Sequence, residues 1–181
     1  MTRHLTVPVG LRDHVSGSRD APVVLVEYGD YECPSCGQAY PIVKQLQRRF
    51  GSSLAFVFRN FPLTELHPDA LRAAETAEWA ALARRFWPMH DHLFEHQREL
   101  APGDLLAAAA SLELDRHQLQ VAWHDHALRA RVAEDVASGI ASGVTGTPAF
   151  FINGERLDGS WQADDLAAAL EAAGAAPARE R

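Results

Sequence analysis

Two cysteines, Cys33 and Cys36, stand with only Pro34 and Ser35 between them, and the chain has no others. Two thiols at this spacing can close and reopen a disulfide, or supply half of a tetrahedral zinc site. The alternatives ask different things of the remaining sequence. A structural zinc site takes four ligands, usually as two Cys/His pairs. No second CxxC exists. His92 and His96 have helical ligand spacing, and His90 and His92 more loosely so, but they flank Leu93 and Phe94 on a polar helix face and are expected at the surface. Redox chemistry is the better fit. Neither a metal nor a bound organic cofactor is expected, because the electrons reside in the dithiol.

The flanking elements must make one sulfur reactive. Val23-Val24-Leu25-Val26 is a short aliphatic run and predicts a buried strand. From Gln38 to Phe50, apolar residues at Ile42, Val43, Leu46 and Phe50 have helical spacing. The cysteines therefore sit where a strand ends and a helix begins. Pro34 suits the first helical position, where no backbone N–H is needed. Cys33 then lies at the helix N-terminus, where unpaired N–H groups and the positive end of the dipole stabilise a thiolate. Such cysteines fall from a free pKa of about 8.5 to roughly 3.5–7.5. Cys36, about one turn on, is placed to resolve a mixed disulfide: Cys33 attacks and Cys36 releases. Glu32 opposes this, since a neighbouring anion raises a thiolate's pKa, at small cost if its side chain points to water. The Ser35 hydroxyl either donates to the Cys33 thiolate or is simply a small residue at a helix start.

Further along, Leu54-Ala55-Phe56-Val57-Phe58 predicts a second buried strand, so strand, helix and strand form a right-handed parallel crossover. A helical region follows. His67-Pro68-Asp69 opens a helix with Leu71, Ala74, Leu82 and Phe86 among its apolar positions. Pro88 and Pro102 start two more, and Asp115 caps a short one containing Leu119 and Trp123. Leu128, Val132, Val136 and Ile140 then recur every four residues, with Gly143 as a stop. Ala149-Phe150-Phe151-Ile152 leads into Asn153-Gly154, a strong hairpin turn, with Glu155-Arg156-Leu157 returning. Ser160 can cap a last helix with Asp164 and Asp165 in its first turn, Leu166 and Leu170 on its apolar face and Gly174 at its end. Residues 175–181 are expected to fray. Trp79, Trp87, Trp123 and Trp161 are expected to pack in the core, and Tyr31, Pro34, Phe61 and Pro62 to form an exposed apolar groove.

With 181 residues, 47% of them hydrophobic, the chain can bury the core of one domain. A formal net charge of −7 argues against nucleic acid and anionic membrane surfaces as partners. No window approaches a membrane span, and the first twenty residues hold no apolar run long enough for a signal peptide. A cytoplasmic location follows as an expectation, and there a CxxC is more often catalytic or metal-binding than structural.

The assembled order resembles the DsbA-like branch of the thioredoxin superfamily. Cys33-Pro34-Ser35-Cys36 follows a strand. Pro41 stands five residues after Cys36, where thioredoxins place a helix-kinking proline. Thr147-Pro148 precedes a strand that runs into a hairpin, as the family's cis-proline does. Glu27 stands six residues before Cys33, where DsbA-like proteins carry a buried acid. The phrases Val26-Glu27-Tyr28-Gly29-Asp30-Tyr31 and Phe150-Phe151-Ile152-Asn153-Gly154 are similar to a bacterial subgroup, some free-standing and some fused to sodium/proton antiporters. The resemblance spans roughly residues 12–173.

It implies an α/β thioredoxin-like fold with a helical insertion between the second strand and the cis-proline strand. Residues 1–65 and 144–174 would form the core, 66–143 the insertion and 175–181 a flexible tail. The implied activity is thiol–disulfide exchange with protein or peptide thiols and disulfides, reset by an unidentified redox partner, without nucleic acid or membrane insertion. Cys33 is the implied nucleophile and Cys36 the resolving thiol. Pro34, Ser35, Thr147 and Pro148 would shape the substrate site, the Thr147 backbone pairing with an extended segment as in strand addition. Glu27 is either a charged residue at a strand end or, if buried under the cysteines, a proton relay for Cys36. Two rivals stay open: a redox-sensing binding module for a transporter or other partner, and a glutathione-dependent isomerase or transferase, which Cys36 argues against.

Overall fold

The computed structural model describes residues 4–178. Its centre is a five-stranded sheet containing β1 (His14–Ser16), β2 (Val23–Gly29), β3 (Leu54–Asn60), β4 (Ala149–Ile152) and β5 (Glu155–Arg156), in the order β1-β3-β2-β4-β5. The central strand β2 runs parallel to β3 and antiparallel to β4. It is covered on both faces, which explains an unbroken apolar run rather than alternation. Helix α1 (Pro34–Phe50) joins β2 to β3. Between β3 and β4 lie α2 (Ala70–Leu82), α3 (Phe86–Glu95), α4 (Pro102–Ser111), α5 (Arg116–His124) and α6 (Arg129–Ala141); α7 (Ala163–Ala172) follows the hairpin. This is the α/β thioredoxin-like architecture.

Alternate side chains of the sheet feed two cores. Leu25, Phe56, Phe58, Phe150 and Ile152 join the larger one, with Val43, Leu46 and Phe50 of α1 and Met89 and Leu93 of α3. Val26, Tyr28, Val57 and Phe151 join the smaller one, with Phe61 and Val144. Glu27 alternates with Val26 and Tyr28, so its side chain lies on the α1 side of the sheet.

Several expectations are corrected. Strand β1 was not anticipated: three half-buried residues, His14, Val15 and Ser16, give too short a pattern, and only pairing with Phe56–Phe58 makes them a strand. The helix expected to run from residue 67 through Phe86 breaks after Leu82, where Arg84 takes a φ of 59°. Phe86 instead opens α3, and Pro88 is its third residue, still in the first turn where an N–H has no helical partner. In α6, Ile140 is 64% exposed, because a repeat of four drifts around a helix with 3.6 residues per turn. That helix buries Val132, Asp135, Ser138 and Gly139 instead. Ser160 does not cap α7; Gln162 occupies that position without a side-chain cap, and the Ser160 hydroxyl accepts the Gln162 N–H at 3.1 Å. The expected frayed tail is anchored in part: Ala175 is buried and the Ala178 N–H donates to the Arg49 carbonyl at 2.7 Å. Residues 179–181 lie outside the described residues. His90, expected at the surface, is fully buried among Tyr31, Phe58, Trp87 and Phe94.

Candidate active site

Cys33 is the N-cap of α1, with extended backbone (φ −68°, ψ 121°), and Pro34 occupies the first helical position. The ring's fixed φ suits a helix start and its missing N–H costs nothing there. Cys33 retains 6% exposure, while Cys36 is fully buried behind it. Both are free thiols. Strand β4 lies antiparallel to β2, with Ala149 opposite Tyr28 and Phe150 opposite Glu27. Continuing that register carries Thr147 and Pro148 past the end of β2 to the cysteine turn. The Thr147–Pro148 peptide is cis, and the Cys33 thiol donates to the Thr147 carbonyl at 3.4 Å.

The two sulfurs are driven apart in acidity. Cys33 is lowered from 9.0 to about 5. The Cys36 thiol contributes most; burial opposes it; the backbone N–H groups of Cys36 and Ser35 add to it, while the Thr147 hydroxyl has no hydrogen-bond partner among the described residues. Those N–H groups are the free donors of a helix N-terminus. Ser35 thus acts through its backbone. Cys36 is pushed up, first by burial, then by its bond to Cys33 and the charges of Glu27 and Cys33. One thiolate and one thiol therefore share the site at neutral pH.

Glu27 is 2% exposed, not a charged residue at an open strand end. Burial, and then the Cys33 charge, push its pKa up to about 8. One carboxylate oxygen, Oε1, has no hydrogen-bond partner among the described residues.

Three side chains that the sequence did not single out hold this turn. Asp30, fully buried, accepts the Glu32 N–H on Oδ1 at 2.8 Å and takes the Leu63 N–H and His67 Nδ1 on Oδ2 at 2.8 and 2.7 Å. His67 is raised: burial works against this, but the Asp30 carboxylate overcomes it, followed by the charges of Cys33 and Glu32. Gln97, just after α3, donates to the carbonyls of Tyr31 and Cys33 at 2.9 and 2.7 Å. Asp30 directly after a strand was the one available sequence signal, since an Asx side chain there can bond the backbone two residues on. His67 and Gln97 carry no local signal.

Glu32 is half-buried, and its Oε2 accepts the Asp69 N–H at 2.8 Å, tying the turn to the start of α2. One further expectation fails. Tyr31 and Phe61 are buried, at 1% and 7%, so they do not line an exposed groove; Tyr31 bonds His90 through its hydroxyl. Among the described residues no cluster of three or more His, Cys, Asp or Glu is disposed to hold a metal ion.

Known proteins are similar to this chain in sequence and fold. The family model described as Thioredoxin matches residues 11–172. The protein named Na(+)/H(+) antiporter NhaA 1 of Salinispora arenicola is 49% identical over 170 residues, covering 93% of this chain and 26% of that one. The chain thus spans about a quarter of the length of the curated relatives it matches. Among solved structures, BdbD from Bacillus subtilis (oxidised) superposes with a TM-score of 0.85 at 24% identity, covering 96% of this chain and 98% of that one. The thiol-disulfide exchange protein alpha-DsbA2 from Wolbachia pipientis gives 0.78 at 21% identity, covering 90% and 87%. With the family model spanning nearly all of the chain, the protein belongs to the thioredoxin family, and its fold is the one seen in BdbD and alpha-DsbA2.

Proposed function

We propose that the protein is a thiol–disulfide oxidoreductase that exchanges disulfides with protein or peptide thiols through Cys33 and Cys36. The observation that carries this is the split within the pair: Cys33 is drawn down to about 5 at a helix N-terminus while Cys36, behind it, is pushed up. The thiolate is the nucleophile in exchange, and a low-pKa sulfur is also the better leaving group. Cys33 attacks a client disulfide and Cys36 resolves the mixed disulfide; in the oxidising direction the same steps run in reverse, a client thiolate attacking Cys33 of the disulfide and releasing Cys36. Pro34, Ser35, Thr147 and Pro148 border the Cys33 sulfur, and the Thr147 backbone receives an extended client segment. Glu27 exchanges a proton with Cys36. A stabilised thiolate favours the reduced enzyme, so the net direction proposed is oxidation of clients.

The test is trapping. Cys36→Ala should accumulate mixed disulfides with a model peptide disulfide, and Cys33→Ala should form none. A Cys36→Ala variant with full turnover would revive a glutathione-dependent enzyme.

A second reading has its own support: the relatives bearing this sequence over about a quarter of their length are named antiporters. In that reading the domain senses redox state for a transporter. Redox-dependent complex formation with such a membrane protein, without turnover of generic disulfides, would favour it. Among the described residues no helix is long and apolar enough to cross a membrane. A cytoplasmic location belongs to the same proposal and is tested by fractionating cells.

A further inference from the structure

We infer that Gln97, on the segment between α3 and α4, is the positioning residue that holds Cys33 in its thiolate-stabilising posture, and that Gly37 is the seat in α1 that admits it. The inference rests on the exchange reading above and names what sets its nucleophile.

The hydrogen bonds come first. Gln97 Nε2 donates to the Tyr31 carbonyl at 2.9 Å and to the Cys33 carbonyl at 2.7 Å. These two carbonyls span the turn that ends in the reactive sulfur. The N–H groups of that turn are engaged elsewhere: Glu32 and Cys33 both turn back to Asp30, at 2.8 and 3.2 Å. Pro34, three residues after Tyr31, has no N–H with which to close a turn on the Tyr31 carbonyl. The Cys33 carbonyl accepts the first helical bond, from the Gly37 N–H at 3.1 Å, and Gln97 shares that oxygen. Because the peptide is planar, holding the Cys33 carbonyl holds its ψ, which is 121°. That angle keeps Cys33 an N-cap, with its sulfur in reach of the Ser35 and Cys36 N–H groups that favour the anion. Gln97 thus acts on the sulfur through the backbone.

The seat is the second observation. Gly37 lies inside α1, one residue past Cys36, and it is not among the glycines with positive φ. Glycine there weakens a helix relative to alanine and gains nothing from its conformational freedom. The gain is space. A Cβ at Gly37 would stand 2.8 Å from Cδ of Gln97 and closer still to its Oε1. The end of a side chain yields before a helix does, so alanine at this position would displace the amide and leave α1 in place.

Gln97 is itself firmly presented. The Glu99 N–H closes a turn on the His96 carbonyl at 2.8 Å, and buried Phe94 and Leu100 anchor the segment on either side. Phe94 also packs on the Tyr31 ring, with centroids 4.9 Å apart. That ring contact survives loss of the amide, so a variant at position 97 keeps the segment docked.

The experiment is ultraviolet titration of the Cys33 thiolate in the reduced full chain. Gln97→Met keeps the reach of the side chain and removes its donors. Gly37→Ala keeps the donors and removes their seat. The titratable groups that feel the Cys33 charge, Glu27 on β2, Cys36 on α1 and His67 before α2, are the same in both variants. Each substitution should raise the midpoint from about 5 by about one pH unit, a tenfold weaker acid, and the pH profile of attack on a peptide disulfide should shift with it. In a chain already carrying Gln97→Met, Gly37→Ala should move the midpoint no further, as expected of two residues that act as one unit. A merely structural glutamine would lower the denaturation midpoint and leave the titration where it was. Either variant decides the matter if the other does not fold. An unmoved titration in the folded variants, or two shifts that add, overturns the positioning role while the exchange reading stands. A wild-type thiolate that attacks no disulfide overturns the exchange reading, and the positioning role with it.

Discussion

At the scale of the residue, the chemistry comes from placing two like groups in unlike surroundings. The Cys33 thiolate should titrate with a midpoint of about 5 in the reduced protein, read from thiolate absorbance in the ultraviolet. Glu27 contributes the opposite pH dependence to stability. Its folded pKa is raised from 4.5 to about 8, so its stabilising protonated state is fully present below 4.5 and lost as pH rises through the folded value. Denaturation of the oxidised protein should therefore show stability declining upward from about pH 4.5, and Glu27→Gln should flatten the decline. Without the Cys33 charge the upper end of this window moves down, burial being the larger cause. A wild-type curve that is flat there would mean that Glu27 ionises freely. The cysteine pair was legible in the sequence because spacing alone defines it. The buried state of Glu27 was not: a strand address leaves the facing residues unspecified, and these come from α1 and α3. His67 and Gln97 were hidden for the same reason, since their partners lie on separate elements.

At the scale of the element, the fold depends on how closely α6 approaches the sheet. A Cβ at Gly139 would stand 2.7 Å from the Phe61 ring and 3.0 Å from the Tyr28 ring, closer than carbon atoms pack. Gly139→Ala should destabilise the fold by about 1–3 kcal/mol in chemical denaturation, the usual cost of overpacking. An unchanged midpoint would show that α6 can retreat freely. Strong local signals predicted the element types well: the aliphatic run of β2, the Asn153-Gly154 turn and the prolines at helix starts all proved informative. Boundaries and faces fared worse. The break at Arg84 has no glycine or proline to announce it. The polar inner face of α6 defeats an apolar repeat, because Asp135 accepts the Asn60 N–H at 3.0 Å and Ser138 bonds the Tyr28 hydroxyl at 2.8 Å.

At the scale of the whole molecule, a buried polar network ties the N-terminal segment to the sheet. Arg59 in β3 makes two bonds to the Asp13 carboxylate, at 2.8 and 3.1 Å, and reaches the Val7 and Pro8 carbonyls and the Tyr28 hydroxyl. Both charged side chains are nearly inaccessible, at 2% and 8%. Removing one partner strands the other: Arg59→Ala should cost about 3–5 kcal/mol by denaturant titration, and a loss under about 1 kcal/mol would show that water replaces the pair. The network is separate from the cysteines, so the surviving folded fraction should keep its thiol chemistry. This division assigns α1 and the helices packed on its side to the reactive pair, and α6 and the N-terminal segment to stability. The overall α/β plan was legible from element order, but this network was not, because residues 7–13 carry no periodic pattern.

The central claim is that Cys33 and Cys36 form a reversible, oxidising disulfide. It is tested most directly by equilibrating the protein in graded glutathione buffers and counting free thiols by mass-tagging. The account predicts one two-electron transition, with a midpoint nearer to the roughly −120 mV of DsbA than to the roughly −270 mV of thioredoxin. A midpoint at the thioredoxin end would reverse the proposed direction, and two thiols that never pair at any ratio would contradict the account itself.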